Sequence, residues 1–564
     1  MLHLNRAKYY LTEFAGDWAH EANVTERELA FGKKVIDTKL GARANMFVSP
    51  FFQLALDNPS QENAGEVLVG TIGWTGNFRF TFEVDNKNEL RIISGINPYD
   101  SEYSLPAKEV FRTPDFYFTY STQGKGEASR NFHDWARNHQ VKNGNDTRMT
   151  LLNNWESTYF DFDENKLIGL MDEATKLGVD MFLLDDGWFA NKYPRSSDHQ
   201  GLGDWEETAD KLPNGVGRLV EEAQKKGIKF GIWIEPEMVN PKSELAEKHP
   251  EWIVRSGNRE LLLVRSQCVL DLTNPEVQDF IVETFDDIVS SSPNISYIKW
   301  DSNRFINRAG SEYLPADKQS HFWVDYINGL YSVYDRVRKK YPHITIQLCS
   351  SGGGRLDFGA LKYHDEVWAS DNTNPLSRIF IQYGTNMFFP AIATGAHVSI
   401  SPNHQTKMHA SLKYRFDVAM AGRLGMELQP EDLQGDERVF AKNAIETYKQ
   451  IRPIVQFGDL YRLVSPYDEG GWAASMYVDK DKKNAVVFAY SFEFHGRDCF
   501  LEFKLDGLDE KKKYKLTELN RMGKKSSFWG NDKIFTGEEL MKMGINVNDS
   551  AMFDSFVFMI TEVN

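Results

Sequence analysis

The strongest constraint on the fold lies between about residues 148 and 455, where a short apolar run, a polar loop and an amphipathic helix follow one another repeatedly. Candidate strands are Thr150 to Trp155, Met181 to Asp186, Lys229 to Glu235, Val269 to Leu272, Tyr297 to Asp301, Thr345 to Cys349, Val367 to Asp371 and Phe388 to Ala393. Helical patterns such as Glu164 to Leu177, Val216 to Lys226, Pro275 to Ser290 and Phe322 to Lys340 fall between most of them. Eight such strands alternating with helices over about 300 residues is the arithmetic of a (β/α)8 TIM barrel. A doubly wound sheet is the competing architecture. It is disfavoured because no Gly-rich phosphate loop follows the first strand, and because polar clusters close many strands rather than one crossover.

Both flanks read differently. Glu66 to Trp74, Asn77 to Asp85, Glu89 to Ser94 and Phe116 to Tyr120 alternate or run apolar between Gly, Asn, Asp and Pro, and strands return after Pro453 from Leu460 to Ile560 without long helices. The expected organisation is therefore an N-terminal β-sandwich over 1–146, a (β/α)8 barrel over 147–455 and a C-terminal antiparallel β-sandwich over 456–564.

A net charge of −16 and a pI near 5.4 disfavour nucleic acid or an anionic membrane as partner, since both are polyanions. A neutral substrate fits better. Cys268, Cys349 and Cys499 are too few and too scattered for a disulfide framework, so a reducing, cytoplasmic setting is expected. The first residues carry no apolar signal-like region, and no run of 18 apolar residues occurs.

In a barrel the C-terminal strand ends converge on one mouth. That places Trp155, Asp185-Asp186-Gly187-Trp188, Trp233 with Glu235 and Glu237, Arg265, Lys299-Trp300-Asp301, Cys349 with Gly352-Gly353-Gly354-Arg355, and Trp368 to Asp371 around one opening. Carboxylates and a lysine bind hydroxyls, and indoles stack on the apolar face of a ring, so the mixture suits a sugar. The triple glycine lacks the Lys-Ser/Thr ending of a phosphate loop. The 13 histidines contain no His-x-His or His-Glu-x-x-His, and Lys299 beside Asp301 would oppose a cation, so neither metal nor cofactor is expected.

Asn154-Trp155-Glu156, Leu184-Asp185-Asp186-Gly187-Trp188 followed by Gly203-Asp204-Trp205, Trp233-Ile234-Glu235-Pro236-Glu237-Met238, Lys299-Trp300-Asp301, Cys349 to Arg355 and Trp368 to Thr373 resemble glycoside hydrolase family 36, the bacterial α-galactosidases or melibiases. The resemblance runs through nearly the whole chain and implies the same three-part architecture. It also implies a retaining, metal-free mechanism through a covalent galactosyl-enzyme, with Asp301 as nucleophile and Asp371 as acid/base. Such chemistry asks for two carboxylates about 5–5.5 Å apart, one attacking C1 and the other protonating the leaving oxygen and then activating water.

By the same resemblance Asp185 and Asp186 bind the galactose O4 and O6 hydroxyls and Lys299 the O3/O4 side. Arg265 and Trp233 meet the polar edge of the ring, Trp155 its face, and Cys349 and Gly352 form a narrow wall near O2 that favours galactose over N-acetylgalactosamine. Trp368 lies beside Asp371 as the apolar setting that raises its pKa. Lys299 favours the ionised form of Asp301.

Two departures from the family pattern stand out. Asn374 replaces the second carboxylate of Ser-Asp-Asn-Thr-Asp. The chain also begins well inside the N-terminal sandwich of long members, as a naturally short form or a truncated one would. A short form implies an open aglycone side and a monomer or weak homo-oligomer, and an absent leading segment is where a signal peptide would lie. The expected activity is exo-hydrolysis of terminal α-galactose from melibiose, raffinose-type oligosaccharides or galactomannan side chains. An α-N-acetylgalactosaminidase, an α-galactosyl transferase and a non-catalytic sugar-binding relative are the alternatives.

Overall fold

The computed structural model describes residues 2–563 apart from positions 44, 494–498, 524 and 550–551. A closed parallel barrel sits at its centre, built from β1 (Leu151–Asn153), β2 (Met181–Leu184), β3 (Lys229–Ile234), β4 (Ile295–Trp300), β5 (Thr345–Leu348), β6 (Glu366–Trp368), β7 (Thr394–Ser399) and β8 (Arg423–Glu427). The ring closes where Leu151 and Leu152 of β1 pair with Gly425 and Met426 of β8. Its helices begin where the local chemistry directs. Asp163 caps Glu164–Leu177 by accepting from Lys166 N, and Gly178, at φ 88°, ends that helix in the left-handed region. Asn274 and Asn374 likewise cap helices whose first residue is proline.

Six of the eight expected strands are barrel strands. Val269 to Leu272 is not one of them: Cys268–Val269 pairs antiparallel with Met238–Val239 in a ribbon outside the barrel. Those residues are apolar because the ribbon is buried, and burial alone does not tell a ribbon from a barrel strand. Phe388 to Ala393 is not a strand either. Phe388 stacks on Phe51 of the N-terminal sheet at 4.4 Å and Phe389 on Phe358 at 4.9 Å, so this run fills the seam between two domains. The strand that follows it, β7, and the unexpected β8 carry inward-facing polar side chains, His397, Arg423 and Glu427, which break the apolar pattern.

The N-terminal domain is two antiparallel sheets. One has the order His20–Glu28, Tyr9–Asp17, Val48–Leu56, Val67–Ile72, Phe116–Ser121, and the other Leu2–Asn5, Glu89–Ile96, Phe78–Val84, Gly32–Asp37. Phe78, Phe80, Phe82 and Val84 alternate inward, and Phe52 meets Phe80 and Phe82 edge-on across the interface. Because the five-stranded sheet also packs Phe51 against Phe358 and Phe388, it is covered on both faces.

That docking matters for function. It aims the tip of the Tyr9–Asp17/His20–Glu28 hairpin at the barrel mouth. The C-terminal domain is a six-stranded antiparallel sheet faced by a two-stranded ribbon, Cys499–Phe503 with Ile545–Asp549. Helix Asp436–Phe457 lies between it and the barrel, where Tyr448 and Tyr477 donate to the carbonyls of Gly422 and Ala421. No helix among the described residues is long and apolar enough to cross a membrane.

Candidate active site

At the C-terminal ends of the barrel strands a cavity of about 510 Å³ opens, and Asp301 and Asp371 both line it. Asp301 follows β4 directly, and its backbone N–H still bonds to Ile234 O at 2.8 Å, which fixes the carboxyl relative to β3. Its Oδ1 accepts from the N–H groups of Ser302 (2.8 Å) and Ser351 (3.2 Å), and its Oδ2 from Asn303 Nδ2 (2.8 Å) and the Trp233 indole (3.1 Å). Burial works to raise its pKa, but the charges of Lys299 and Arg265 and the bonds from Asn303 and Cys349 outweigh it, leaving Asp301 below the ordinary aspartate value.

Asp371 is half-buried and tuned the other way. Burial first, then the nearby charge of Asp301, raise its pKa. Two indoles hold it: Trp368 Nε1 donates to Oδ1 at 3.0 Å, and Trp18 Nε1 to Oδ2 at 2.9 Å. An N–H can only donate, so these bonds orient the carboxyl and limit the upward shift.

Trp155, Asp185, Asp186, Trp233, Arg265, Lys299 and Trp368 also line the cavity, as expected from the sequence. Lys299 Nζ donates to Asp185 Oδ2 at 2.8 Å, and Asn153 Nδ2 reaches the same oxygen at 2.7 Å. Asp186 is gripped by the fully buried Arg195, through Nε at 3.0 Å and Nη2 at 2.8 Å. Arg265 sits on an exposed strap across the mouth, held by Asp198 at 3.2 Å, and both it (φ 52°) and Ser266 (φ 60°) adopt the left-handed conformation that non-glycine residues avoid.

Cys349 and Gly352 lie beneath the lining rather than in it. The Cys349 side chain is buried behind Asp301, and burial pushes its thiol well above the ordinary range. A Cβ on Gly352 would fall 2.7 Å from Asp371 N and from Ser370 Cα, so this glycine is demanded by backbone packing under the Asp371 loop. Ser351 and Asn303 do line the cavity.

Glu235, Glu237, Trp188, Trp300 and Arg355 are likewise below the surface. Glu237 forms a buried ion pair with Arg355 (2.7 and 2.8 Å) and accepts from the Trp300 indole, while Glu235 accepts from Gln267 Nε2 at 3.0 Å. Trp188 donates to Trp233 O at 3.0 Å. These groups support the floor.

Several lining residues were not expected. Trp18 comes from the N-terminal hairpin, and its only sequence signal is a tryptophan in a tight turn, Asp17-Trp18-Ala19-His20, where no turn requires one. His404 and Gln405 come from the loop after β7, and Gln405 Nε2 donates to Asp371 O at 2.9 Å. That loop explains the residue at 374. The Oδ1 of Asn374 caps helix Pro375–Thr385, while its Nδ2 donates to Thr406 Oγ1 (2.7 Å) and Met408 Sδ (3.1 Å), a role a carboxylate cannot take. A second cavity, of about 600 Å³, opens at the opposite end of the barrel, and none of the expected site residues reaches it.

Three family models match the chain: Melibiase over residues 110–458, the glycosyl hydrolase family 36 N-terminal domain over 1–106 and the corresponding C-terminal domain over 472–560. Alpha-galactosidase AgaA of Geobacillus stearothermophilus is 38% identical over 96% of this chain and 72% of its own length. Alpha-galactosidase 2 of Hypocrea jecorina is 36% identical over 97% of this chain and 71% of its own length. The crystal structure of AgaA superimposes with a TM-score of 0.94, covering 100% of this chain and 76% of that one, and AgaA variants have been crystallised with raffinose and with stachyose. With all three domains matched in order around this mouth, the chain belongs to glycosyl hydrolase family 36.

Proposed function

We propose that this chain is an exo-acting α-galactosidase that releases terminal α-linked galactose with retention of configuration. Asp301 is the nucleophile and Asp371 the acid/base. The observation that carries the assignment is the opposite tuning of these two carboxyls on one cavity, one held ionised and the other raised toward its protonated form.

In the first step a carboxylate oxygen of Asp301 forms a bond to C1. The C1–O bond to the aglycone breaks, and the Asp371 proton goes to the departing oxygen. In the second step water gives a proton to Asp371 and attacks C1, freeing Asp301 and regenerating the acid. Lys299 and Asp185, paired at 2.8 Å, present a donor and an acceptor to adjacent hydroxyls, and Asp186 and Arg265 grip the polar edge of the ring. Trp155 offers a flat apolar face, itself braced edge-on by Tyr159 and Phe160 at 5.2 Å.

The relatives are α-galactosidases, and raffinose and stachyose are the sugars bound in AgaA variants. This supports melibiose, raffinose-type oligosaccharides and galactomannan side chains as substrates here. We place the enzyme in the cytoplasm, on its few cysteines, of which Cys268 and Cys349 are free thiols.

The test is hydrolysis of p-nitrophenyl α-galactoside beside the α-N-acetylgalactosaminide, with the first-formed anomer read by NMR. The proposal expects galactoside turnover releasing α-galactose. β-Galactose as first product would refute retention, and faster turnover of the N-acetyl substrate would refute the specificity.

A further inference from the structure

One carboxyl on the inner wall of the cavity is used by neither the catalytic pair nor the sugar contacts described above. Glu427 ends β8, is 3% exposed, and lines the cavity beside Asp185 and Lys299. Its Oε1 lies 2.7 Å from His397 Nδ1, and His397 Nε2 lies 3.1 Å from Arg423 Nη1. A guanidinium only donates, so Nε2 is the acceptor and the imidazole proton is on Nδ1, donating to Glu427. Arg423 is fixed from behind by Glu366, which accepts from its Nε at 3.1 Å and is itself held by Gln347 Nε2 at 2.8 Å. This buried column orients Glu427 and occupies one of its oxygens. The other, Oε2, accepts no hydrogen bond from any described residue.

That oxygen opens onto the cavity, where its partner must come from solvent or from a ligand. We propose that Glu427 is a specificity-determining residue that accepts a hydrogen bond from a hydroxyl of the bound galactosyl ring, on the Lys299 and Asp185 side of the cavity. The inference rests on the α-galactosidase reading. Burial raises the pKa of Glu427 to about 7 against the lowering charge of Lys299, and burial and the Glu427 charge drive the adjacent Glu156 well above its ordinary value, so the two carboxyls titrate as a pair. The same imidazole packs on Trp368 at 4.2 Å, and Trp368 holds Asp371, so one residue aims both the hydroxyl acceptor and the acid/base.

The test is Glu427→Gln against wild type on p-nitrophenyl α-galactoside and on its 2-, 3-, 4- and 6-deoxy analogues. The His397 N–H turns the glutamine carbonyl toward itself, leaving an amide NH2 where the sugar met an acceptor. Assayed above pH 7, where Glu427 is ionised, loss of a hydrogen bond to a charged group predicts a fall in kcat/KM of roughly 10- to 150-fold on the parent glycoside. On one deoxy analogue the two enzymes should converge to within about twofold, because the hydroxyl that Glu427 holds is gone.

Equal losses on the parent and all four analogues, which a merely structural role would give, overturn the inference, as does an unimpaired variant. Glu427→Asp, which keeps the charge but retracts it, should show a smaller loss with the same analogue singled out, and decides the matter if the glutamine variant does not fold. Wild-type turnover is read in the same experiment. Its absence overturns the α-galactosidase reading together with this inference, whereas turnover with uniform losses overturns this inference alone.

Discussion

Replacing Trp18 by Phe removes one hydrogen bond to Asp371 while keeping an aromatic ring at the mouth. The Trp368 indole still holds the other oxygen, so the carboxyl stays in place. An N–H donor favours the carboxylate over the acid, and its removal must raise the pKa of Asp371 further. A hydrogen bond to a charged group contributes about 1.5–3 kcal/mol when sheltered. Trp18 is 51% exposed, so solvent competes and a figure of about 0.7–1.4 kcal/mol is appropriate, equal to roughly half to one pH unit.

The assay is kcat/KM for melibiose across pH. A sugar leaving group needs the proton that we assign to Asp371, whereas nitrophenolate leaves without it and would mask the effect. The alkaline limb of the profile should move up by roughly half to one unit, while the acid limb, set by Asp301, stays where it was. An alkaline limb that stays put or moves down would refute the reasoning, because it would mean that Trp18 does not tune Asp371.

Three further outcomes follow from named contacts. Asp371→Ala should nearly abolish melibiose hydrolysis while leaving galactosyl-enzyme formation from p-nitrophenyl α-galactoside far less impaired, and equal losses in a pre-steady-state burst assay would remove Asp371 as the acid. Asn374→Asp keeps the helix cap but loses the bonds to Thr406 and Met408, and should lower stability by about 1–3 kcal/mol in urea unfolding while raising KM through the loosened loop; an unshifted midpoint would contradict this. Cys349, buried and held as a thiol by its raised pKa, should resist iodoacetamide at pH 8 in the native enzyme, and peptide mass analysis showing alkylation before unfolding would overturn that expectation.

The barrel was legible because six strands are apolar runs followed by amphipathic helices. β7 and β8 were not, because their inward residues build the His397–Arg423–Glu427 column and so mimic loop composition. Asp185, Lys299, Asp301 and Asp371 were legible because a strand that ends in polar groups must deliver them to the barrel mouth. The neighbouring carboxylates in one motif, Glu235 and Glu237, look equivalent to those four in sequence, and only their burial against Gln267 and Arg355 separates support from site. Trp18 could not be placed at all. Its position depends on how the five-stranded sheet docks on Phe358 and Phe388, a tertiary relation that no local pattern encodes.

The central claim is that Asp301 attacks C1, and azide rescue of Asp301→Gly with p-nitrophenyl α-galactoside tests it most directly. With the nucleophile deleted, azide should enter from the vacated face and NMR should show β-galactosyl azide accumulating as activity returns. α-Galactosyl azide, or a variant whose activity without azide already matches the wild type, would contradict the assignment.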